Sequence, residues 1–300
     1  MIPTNTTDKR NPFNLHNVEA YQYWRDQKLQ HYPEKAEQLV IEINNLKKLS
    51  ASEKKAIITS TNKTNMAVYI SASGNNPDKN LTLGLAEQLG LKTLDKNMGA
   101  DDDGITSLTV SNLKGRERYI PYSNKAIHWH TDGYYNTAEQ QINALNLHCV
   151  QAAKSGGENA LMDHEIAYLR LRDENPEFIQ ALMAEDAMTI PANIKDGKVL
   201  RPDRSGAVFS FNKNNQLHMR YTARSCNVIW KDNEITRAAV SALEKLLCSN
   251  DPYIYRLTLQ AGWGLISNNV LHDRSGFEDD EQHTRLIYRL RYFERLNEIS

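Results

Sequence analysis

Residues 126–136 read AIHWHTDGYYN and place two histidines and one aspartate within five positions. In an extended chain the side chains of residues i and i+2 point to the same side. His130 and Asp132 can therefore reach one metal ion together from the end of a strand. The same alternation places His128 beside His130, so a zinc site that uses this HxH pair is an open alternative.

A third ligand has to come from another part of the chain, and the best candidate is His272 in residues 268–274, NNVLHDR. Two imidazoles and one carboxylate on one side of an ion leave its other side open. Non-haem Fe(II) needs such open positions for a co-substrate and O₂. The residues therefore point to an iron site formed by His130, Asp132 and His272. A zinc hydrolase that uses His128, His130 and His272 is a competing interpretation.

From about residue 105 the sequence predicts many short strands separated by turn residues. The predicted strands are 105–110, 142–150, 160–162, 187–190, 207–211, 217–222, 227–230, 253–259, 264–267 and 286–293. Many short strands in succession favour a jelly roll or a barrel. Two helices interrupt them, one at 164–185 with a break near Pro176 and one at 234–248 with a single apolar stripe.

The first hundred residues are expected to form a mainly helical layer. Helices are predicted at 19–30, 34–49 and 80–89, with one buried strand at 66–70. A loop near 101–104 separates this layer (1–100) from the jelly-roll core (101–300). We expect the two parts to form a single domain, residues 1–300. The sequence leaves open whether the segment 98–104 acts as a lid.

Composition limits the possible functions. The 300 residues carry 36 Lys and Arg against 37 Asp and Glu, a net charge of -1, so no overall positive field attracts nucleic acid. No apolar stretch approaches the roughly twenty residues of a membrane helix, and we expect no secretory signal because the first residues lack an apolar run. Three cysteines without a CxxC pair suit a reducing cytoplasm and argue against a disulfide framework. We therefore expect a cytoplasmic protein that acts on a small molecule, of unspecified oligomeric state.

The C-terminal segment 284–292, TRLIYRLRY, predicts a strand with Arg285, Ile287, Arg289 and Arg291 on one face. At a sheet edge these arginines would face solvent. Facing inward, they would need anionic partners, because a buried unpaired arginine is costly. The planar guanidinium binds a carboxylate through two parallel hydrogen bonds, so an inward position would indicate an anionic ligand.

The motifs occur in a specific order along the chain. His130-x-Asp132 comes first, then residues 156–159 (GGEN), then 269–274 (NVLHDR), and last 285–289 (RLIYR). This ordered set resembles the taurine dioxygenase (TauD/TfdA) family of Fe(II)/2-oxoglutarate-dependent dioxygenases. It is similar also to the γ-butyrobetaine hydroxylase and clavaminate synthase branch. The resemblance covers roughly residues 100–295.

The resemblance implies His130, Asp132 and His272 as Fe(II) ligands and catalytic residues, with 2-oxoglutarate and O₂ as co-substrates. It implies that Arg285 binds the far carboxylate of 2-oxoglutarate and that Arg289 contacts an acidic group of the substrate. Asn159 stands where the family commonly has a threonine that bonds the same co-substrate carboxylate. The implied fold is mostly β, a double-stranded β-helix (jelly roll) core with flanking helices.

The implied reaction oxidises 2-oxoglutarate to succinate and CO₂ and hydroxylates an unactivated C–H bond. Asp132 favours hydroxylation or desaturation, because related halogenases have a small residue in its place. Tyr134 and Arg224 are candidate substrate-binding residues, with packing and solvent exposure as the alternatives. Arg220 and Asp273 are expected to face solvent. The substrate is expected to be small and anionic or amino-acid-like, and a non-catalytic jelly-roll binding module is the alternative function.

Overall fold

The structure, a computed structural model, describes residues 11–96, 101, 103–111, 120–212, 214–224 and 228–296. The α-helices in these ranges are α1 (Val18–Leu29), α2 (Ala51–Thr64), α3 (Asn80–Gln88), α4 (His164–Glu174), α5 (Pro176–Leu182) and α6 (Glu234–Leu247). The strands are β1 (Val40–Ile43), β2 (Met66–Ser71), β3 (Thr106–Leu108), β4 (Ile127–His130), β5 (Ala144–Gln151), β6 (Ser155–Gly156), β7 (Asn159–Met162), β8 (Met188–Ile190), β9 (Asn193–Lys195), β10 (Lys198–Arg201), β11 (Arg204–Gly206), β12 (Phe209–Phe211), β13 (Leu217–Met219), β14 (Ile229–Trp230), β15 (Tyr255–Leu257), β16 (Trp263–Ser267), β17 (Leu271–Arg274), β18 (Phe277–Glu278) and β19 (Leu286–Tyr292).

Two sheets of the molecule share one interior. The larger sheet has the strand order β1-β2-β16-β5-β19-β3, and the second has the order β15-β7-β17-β4. Leu147, Leu265 and Ile287 of the larger sheet belong to the same buried cluster as Leu161 and Leu271 of the second. This arrangement confirms the jelly roll expected from the many short strands.

The other face of the larger sheet packs against the N-terminal helices. Tyr69, Ile266 and Tyr288 of the sheet form a second buried cluster with Ile57 of α2 and Leu85 of α3. The sheet is therefore covered on both faces. Its central strands β5, β16 and β19 are accordingly buried or half-buried along their length rather than alternating with solvent-exposed residues.

The predicted helix at 34–49 is wrong. A short 3₁₀ turn at Ala36–Leu39 leads into β1, which pairs in parallel with β2, and β2 pairs with β16 in the larger sheet. Leu39, Ile41 and Ile43 recur with a period of two, which fits a strand. The first hundred residues are thus more than a helical layer, because two of their strands extend the core sheet.

Helix α2 was missed by the sequence analysis. Its residues are mostly polar, so the apolar stripe that marks a helix is weak. The sequence does contain one helix-start signal, the capping box of Ser50 and Glu53. The Ser50 hydroxyl accepts the Glu53 N–H at 3.2 Å, and the Glu53 carboxylate accepts the Ser50 N–H at 2.6 Å.

Most other predicted elements are confirmed within a few residues. The helix predicted at 164–185 is two helices, α4 and α5, because Pro176 occupies the first position of α5 and Asn175 caps it. The segment 98–104, for which the sequence leaves a lid role open, includes residues outside the described ranges, and the first residue of the strand predicted at 227–230 also lies outside them. None of the helices in the described part of the chain has the length and apolar character needed to cross a bilayer.

A buried polar network ties α1 to the strand region that carries His272. The Lys28 ammonium contacts the carboxylates of Asp163 at 2.7 Å and Glu165 at 2.5 Å. Asp163 accepts a hydrogen bond from Asn65 at 2.9 Å, and Asn65 accepts one from Asn268 at 3.0 Å. Each charged group of this network has an opposite charge or a hydrogen bond, as burial requires. The network therefore fixes the segment that leads into β17.

Candidate active site

His130, Asp132 and His272 meet at one end of the second sheet. His130 lies opposite His272 across the β4–β17 pair, with the ring centroids 4.2 Å apart, and Asp132 follows β4. One potential ligand atom from each residue lies within 4.8 Å of the other two. Across the ranges the structure describes, no other group of His, Cys, Asp or Glu converges in this way. The structure thus brings together the three candidate metal ligands.

Backbone carbonyls orient both imidazole rings. Nδ1 of His130 donates to the carbonyl of His128, and Nδ1 of His272 donates to the carbonyl of Val270, each at 2.9 Å. These bonds leave the Nε2 lone pair of each ring available to a metal. Burial, with a contribution from His272, lowers the pKa of His130 to about 3, so this ring is neutral near pH 7.

Asp132 supplies a charged oxygen to the same point. Oδ1 accepts a hydrogen bond from Nη1 of Arg289 at 3.0 Å, whereas Oδ2 is buried and has no partner among the described residues. Burial alone would raise the pKa of Asp132, but Arg289 and Arg291 outweigh it and hold this pKa well below its usual range. An unpaired carboxylate oxygen beside two imidazole nitrogens fits Fe(II), a borderline divalent ion.

Asn269 positions the loop that carries Asp132, a role that the sequence analysis missed. Its Oδ1 accepts the Asp132 N–H at 2.8 Å, and its Nδ2 donates to the carbonyls of Asp132 at 2.9 Å and Ile142 at 2.7 Å. Asn269 has a positive φ of 52° and lies three residues before His272. Asparagine tolerates this conformation better than most residues. It therefore connects the backbone of one candidate ligand to the strand of another.

Replacing Asn269 with glycine should weaken metal binding. Glycine keeps the positive φ at no steric cost, so the variant removes only the three amide contacts. We expect a 10- to 100-fold rise in the dissociation constant for Co(II), measured from the Co(II) absorption spectrum. Asn45→Gly, on an exposed turn, is the matched control and should leave the constant unchanged. An unchanged constant for Asn269→Gly would refute the positioning role.

The arginines of β19 face the interior, so the solvent-facing interpretation is wrong. The reason is that β19 is not an edge strand, since it pairs with β5 on one side and β3 on the other. Arg291 is 2% exposed and bonds to Asp95 and to the Tyr135 hydroxyl. Arg289 pairs with Asp132, so this candidate for substrate binding already has an anionic partner.

Arg285 lies inside the roll and has no carboxylate paired with its guanidinium among the residues described. It is 7% exposed, and its guanidinium lies 5.1 Å from the centre of the Phe277 ring. Gly157 lies beside it, where a Cβ would come within 3.4 Å of Arg285 Nε. Burial lowers the pKa of Arg285. An unpaired guanidinium in this position fits an anionic ligand.

Asn159 is held by the strand that carries His272. Its Nδ2 donates to the Asp273 carbonyl at 2.9 Å, and its Oδ1 is buried without a described partner. Asp273 is half-buried and not a solvent residue, because its carboxylate accepts the Ala160 N–H at 2.9 Å. The amide of Asn159 therefore has one N–H left for a ligand.

Tyr134 and Arg224 lie together beside β4. The Thr131 N–H donates to the Tyr221 carbonyl at 3.0 Å and the Ala223 N–H to the Trp129 carbonyl at 2.8 Å, so residues 221–224 run alongside this strand. Burial raises the pKa of Tyr134, and the nearby Arg224 charge opposes that rise. Both candidate substrate residues are therefore next to the segment that carries the candidate ligands His130 and Asp132.

Arg220 does not face solvent. Its guanidinium donates to the carbonyls of Tyr134 at 2.7 Å, Met188 at 2.9 Å, Gly206 at 3.3 Å and Arg204 at 2.7 Å. These bonds satisfy the buried group. Arg220 is therefore a structural residue that holds four backbone segments together.

His128 is not among the residues that converge at the candidate site. Its side chain is exposed. The zinc interpretation needed His128 as a ligand together with His130 and His272. The structure therefore removes the observation on which that interpretation rested.

Comparison with known sequences gives a family match over most of the chain. Residues 27–291 match the family described as "Taurine catabolism dioxygenase TauD, TfdA family". A uridine-5′-phosphate dioxygenase from Amycolatopsis sp. is 30% identical over 179 residues, which are 55% of this chain and 60% of that relative. The match to that relative thus spans less than two thirds of its length.

Solved structures share the fold. The non-heme iron oxygenase OrfP has a TM-score of 0.58 and 14% identity, covering 97% of this chain and 92% of that one. An asparagine oxygenase in complex with Fe(II), 2S,3S-3-hydroxyasparagine and succinate has a TM-score of 0.54 and 13% identity, covering 81% of this chain and 84% of that one. With the family match and the converging residues, these findings lead to one assignment. The chain belongs to the taurine dioxygenase (TauD/TfdA) family of Fe(II)- and 2-oxoglutarate-dependent dioxygenases.

Proposed function

We propose that this dioxygenase hydroxylates an unactivated C–H bond of a small anionic substrate. The single observation that carries the proposal is the convergence of His130, Asp132 and His272, with both Nε2 atoms and Asp132 Oδ2 free of other partners among the described side chains. A metal ion bound between them would satisfy all three atoms at once. Two imidazoles and a carboxylate also leave room for further ligands.

In this proposal His130, Asp132 and His272 hold Fe(II). When bound, the metal would supply the chemistry that oxidises a C–H bond with O₂ and 2-oxoglutarate, the latter being converted to succinate and CO₂. Arg289 keeps Asp132 ionised through its 3.0 Å hydrogen bond. The carboxylate favours hydroxylation over halogenation, because it fills the position that a halide would need.

Arg285 is proposed to bind the far carboxylate of 2-oxoglutarate. A guanidinium binds a carboxylate through two parallel hydrogen bonds, and a buried cation that forms no ion pair gains from such a ligand. Asn159 is proposed to add a hydrogen bond from its second amide N–H. Burial of this region also excludes water from the bound co-substrate.

The substrate is proposed to be a small molecule with an acidic group. The Amycolatopsis relative is named for a nucleoside phosphate, and Tyr134, Arg224 and Arg289 provide polar and cationic groups close to the candidate metal ligands. Arg289 would contact the substrate while it stays paired with Asp132. A nucleoside monophosphate is therefore the first substrate to test.

We also propose that the chain forms one catalytic domain and works in the cytoplasm. The family match from residue 27 to residue 291 supports a single unit. Cys149 and Cys248 are free cysteines, which suits a reducing compartment. A small molecule as the partner, rather than nucleic acid, stays a prediction from the balanced charge of the sequence.

The proposed chemistry has a direct spectroscopic test. Adding Fe(II) and then 2-oxoglutarate under anaerobic conditions should produce a weak visible charge-transfer band, with one iron bound per chain. Exposure to O₂ with a suitable substrate should then yield succinate. A protein that binds iron without producing the band would support the binding-module alternative, and substrate hydrolysis without O₂ would support the zinc alternative.

A further inference from the structure

Two buried arginines inside the roll share one aromatic ring. The guanidinium carbons of Arg274 and Arg285 lie over the Phe277 ring, 4.7 Å and 5.1 Å from its centre. Arg274 is 4% exposed, Phe277 5% and Arg285 7%, so water screens neither contact strongly. The face of an aromatic ring is partly negative and attracts a guanidinium, most strongly where both groups are desolvated. Phe277 therefore stabilises both cations.

Phe277 is fixed in place by backbone contacts. It begins β18, which pairs with β6 so that Phe277 lies opposite Gly156. Its N–H donates to the Asn124 carbonyl at 3.1 Å, and the Gly157 N–H donates to the Gly276 carbonyl at 3.0 Å. Gly156 has a φ of 74°, and a Cβ there would come within 2.4 Å of the Gly276 carbonyl oxygen. Glycine at this position thus lets the two strands approach closely and sets the position of the ring.

Arg274 joins the ring to the framework of the candidate metal centre. It lies two residues after His272, at the end of β17. Its Nη2 donates to the carbonyls of Ser123 at 3.1 Å and of Lys125, and these residues precede β4. Arg274 is therefore a structural residue held between the two strands that carry the candidate histidines. The Phe277 ring contacts a cation that is already fixed.

Arg285 lacks such a restraint. Oδ1 of Asp279 accepts the backbone N–H of Arg285 at 3.0 Å, whereas the Arg285 guanidinium forms no ion pair and no hydrogen bond with the described residues. Its recorded neighbours are the Phe277 ring and Gly157, where a Cβ would come within 3.4 Å of Nε. A long side chain loses rotamer freedom when it binds a ligand. Contact with a fixed ring lowers this cost, because it orients the guanidinium before the ligand binds.

We propose that Phe277 is a positioning residue for the co-substrate, and that its ring holds the Arg285 guanidinium in the orientation that binds the far carboxylate of 2-oxoglutarate. The inference rests on the proposed role of Arg285 and deepens it. Because Phe277 acts through Arg285, its effect is confined to co-substrates that carry the second carboxylate. An aliphatic side chain fills much of the same space but offers no negative ring face. Tight binding of 2-oxoglutarate therefore depends on an aromatic residue at position 277.

The test compares two co-substrates in the Fe(II)-loaded full chain under anaerobic conditions, with the visible band as the readout. 2-Oxopentanoate has the carbon chain of 2-oxoglutarate without the far carboxylate. In Phe277→Leu we expect the dissociation constant for 2-oxoglutarate to rise about tenfold, as for the loss of a desolvated cation–π contact, and that for 2-oxopentanoate to stay unchanged. Phe277→Tyr keeps the ring and should retain most of the affinity.

Two further variants separate positioning from general damage to the fold. Phe178→Leu makes the same change in a buried ring of α5 and should leave both dissociation constants unchanged. Adding Phe277→Leu to Arg285→Gln should cause no further loss of 2-oxoglutarate affinity, because the ring then has no guanidinium to hold. Phe277→Met, with its adaptable aliphatic side chain, takes the place of Phe277→Leu if the leucine variant does not fold.

The inference is overturned by a normal 2-oxoglutarate constant in folded Phe277→Leu when Arg285→Gln is weakened. An equal loss for both co-substrates, or an undiminished further loss in the double variant, would also overturn it. A different pair of results contradicts the proposed function on which the inference rests. These are the absence of the band in the unmodified protein and normal 2-oxoglutarate binding by Arg285→Gln.

Discussion

Replacing His272 with alanine is expected to lower succinate formation about 10³-fold or more. The variant removes one of the three candidate metal ligands, and metal-ion catalysis contributes several kcal/mol to the transition state, each 1.36 kcal/mol being a factor of ten. Metal titration should show a parallel loss of Fe(II) affinity. His272 is preferred to Asp132 for this test because removing Asp132 would also leave Arg289 without its partner.

His128→Ala is the matched control for this prediction. His128 is two residues before His130, but its side chain is exposed and only its backbone carbonyl contacts His130. Alanine keeps that carbonyl, so activity and iron affinity should stay near those of the unmodified protein. A large loss of activity and iron affinity in His128→Ala, together with a small loss in His272→Ala, would contradict the assignment of His272 as a metal ligand.

Replacing Arg285 with glutamine is expected to raise the dissociation constant for 2-oxoglutarate roughly 100-fold. Removing one partner of a buried charge pair costs 2–5 kcal/mol or more. Binding would be measured anaerobically by titrating the visible band with 2-oxoglutarate in iron-loaded protein. Iron affinity itself should change little, since Arg285 is not among the converging ligand residues.

Two companion variants sharpen the test of Arg285. Arg285→Lys should bind 2-oxoglutarate between the unmodified protein and the glutamine variant, because lysine keeps the charge and loses the planar fork. Arg256→Gln removes an exposed arginine of β15 and should have no effect. A normal 2-oxoglutarate constant in folded Arg285→Gln would place the co-substrate carboxylate elsewhere.

The convergence of the candidate metal ligands was predictable because a short motif carries geometric information. His130 and Asp132 are two positions apart in an extended segment, so the alternation of a strand alone puts them on one side. His272 needed more, since 140 positions separate it from Asp132. Its assignment came from the order of several motifs. The pairing of β4 with β17 then brings it opposite His130.

The direction in which β19 presents its arginines was not predictable from alternation. Period two groups Arg285, Arg289 and Arg291 on one face but does not tell which face is buried. That depends on β5 and β3 pairing on either side of β19. For the same reason the hydrogen bond between Arg289 and Asp132 could not be foreseen, because it joins two remote segments.

Asn269 and Arg220 illustrate a further limit of sequence reasoning. Each acts through hydrogen bonds to backbone carbonyls or amides of distant segments. Backbone carbonyls and amides are not specific to a residue type, so no sequence pattern identifies these hydrogen-bond partners. The strand β1 was missed for a different reason, since four residues are too few to separate a period of two from a period of 3.6.

A crystal structure of the protein loaded anaerobically with Fe(II) tests the central claim most directly. Anomalous scattering at the iron edge should show one ion per chain, roughly 2.0–2.2 Å from Nε2 of His130, Nε2 of His272 and a carboxylate oxygen of Asp132. Iron bound at another place, with these three side chains left without it, would contradict the account.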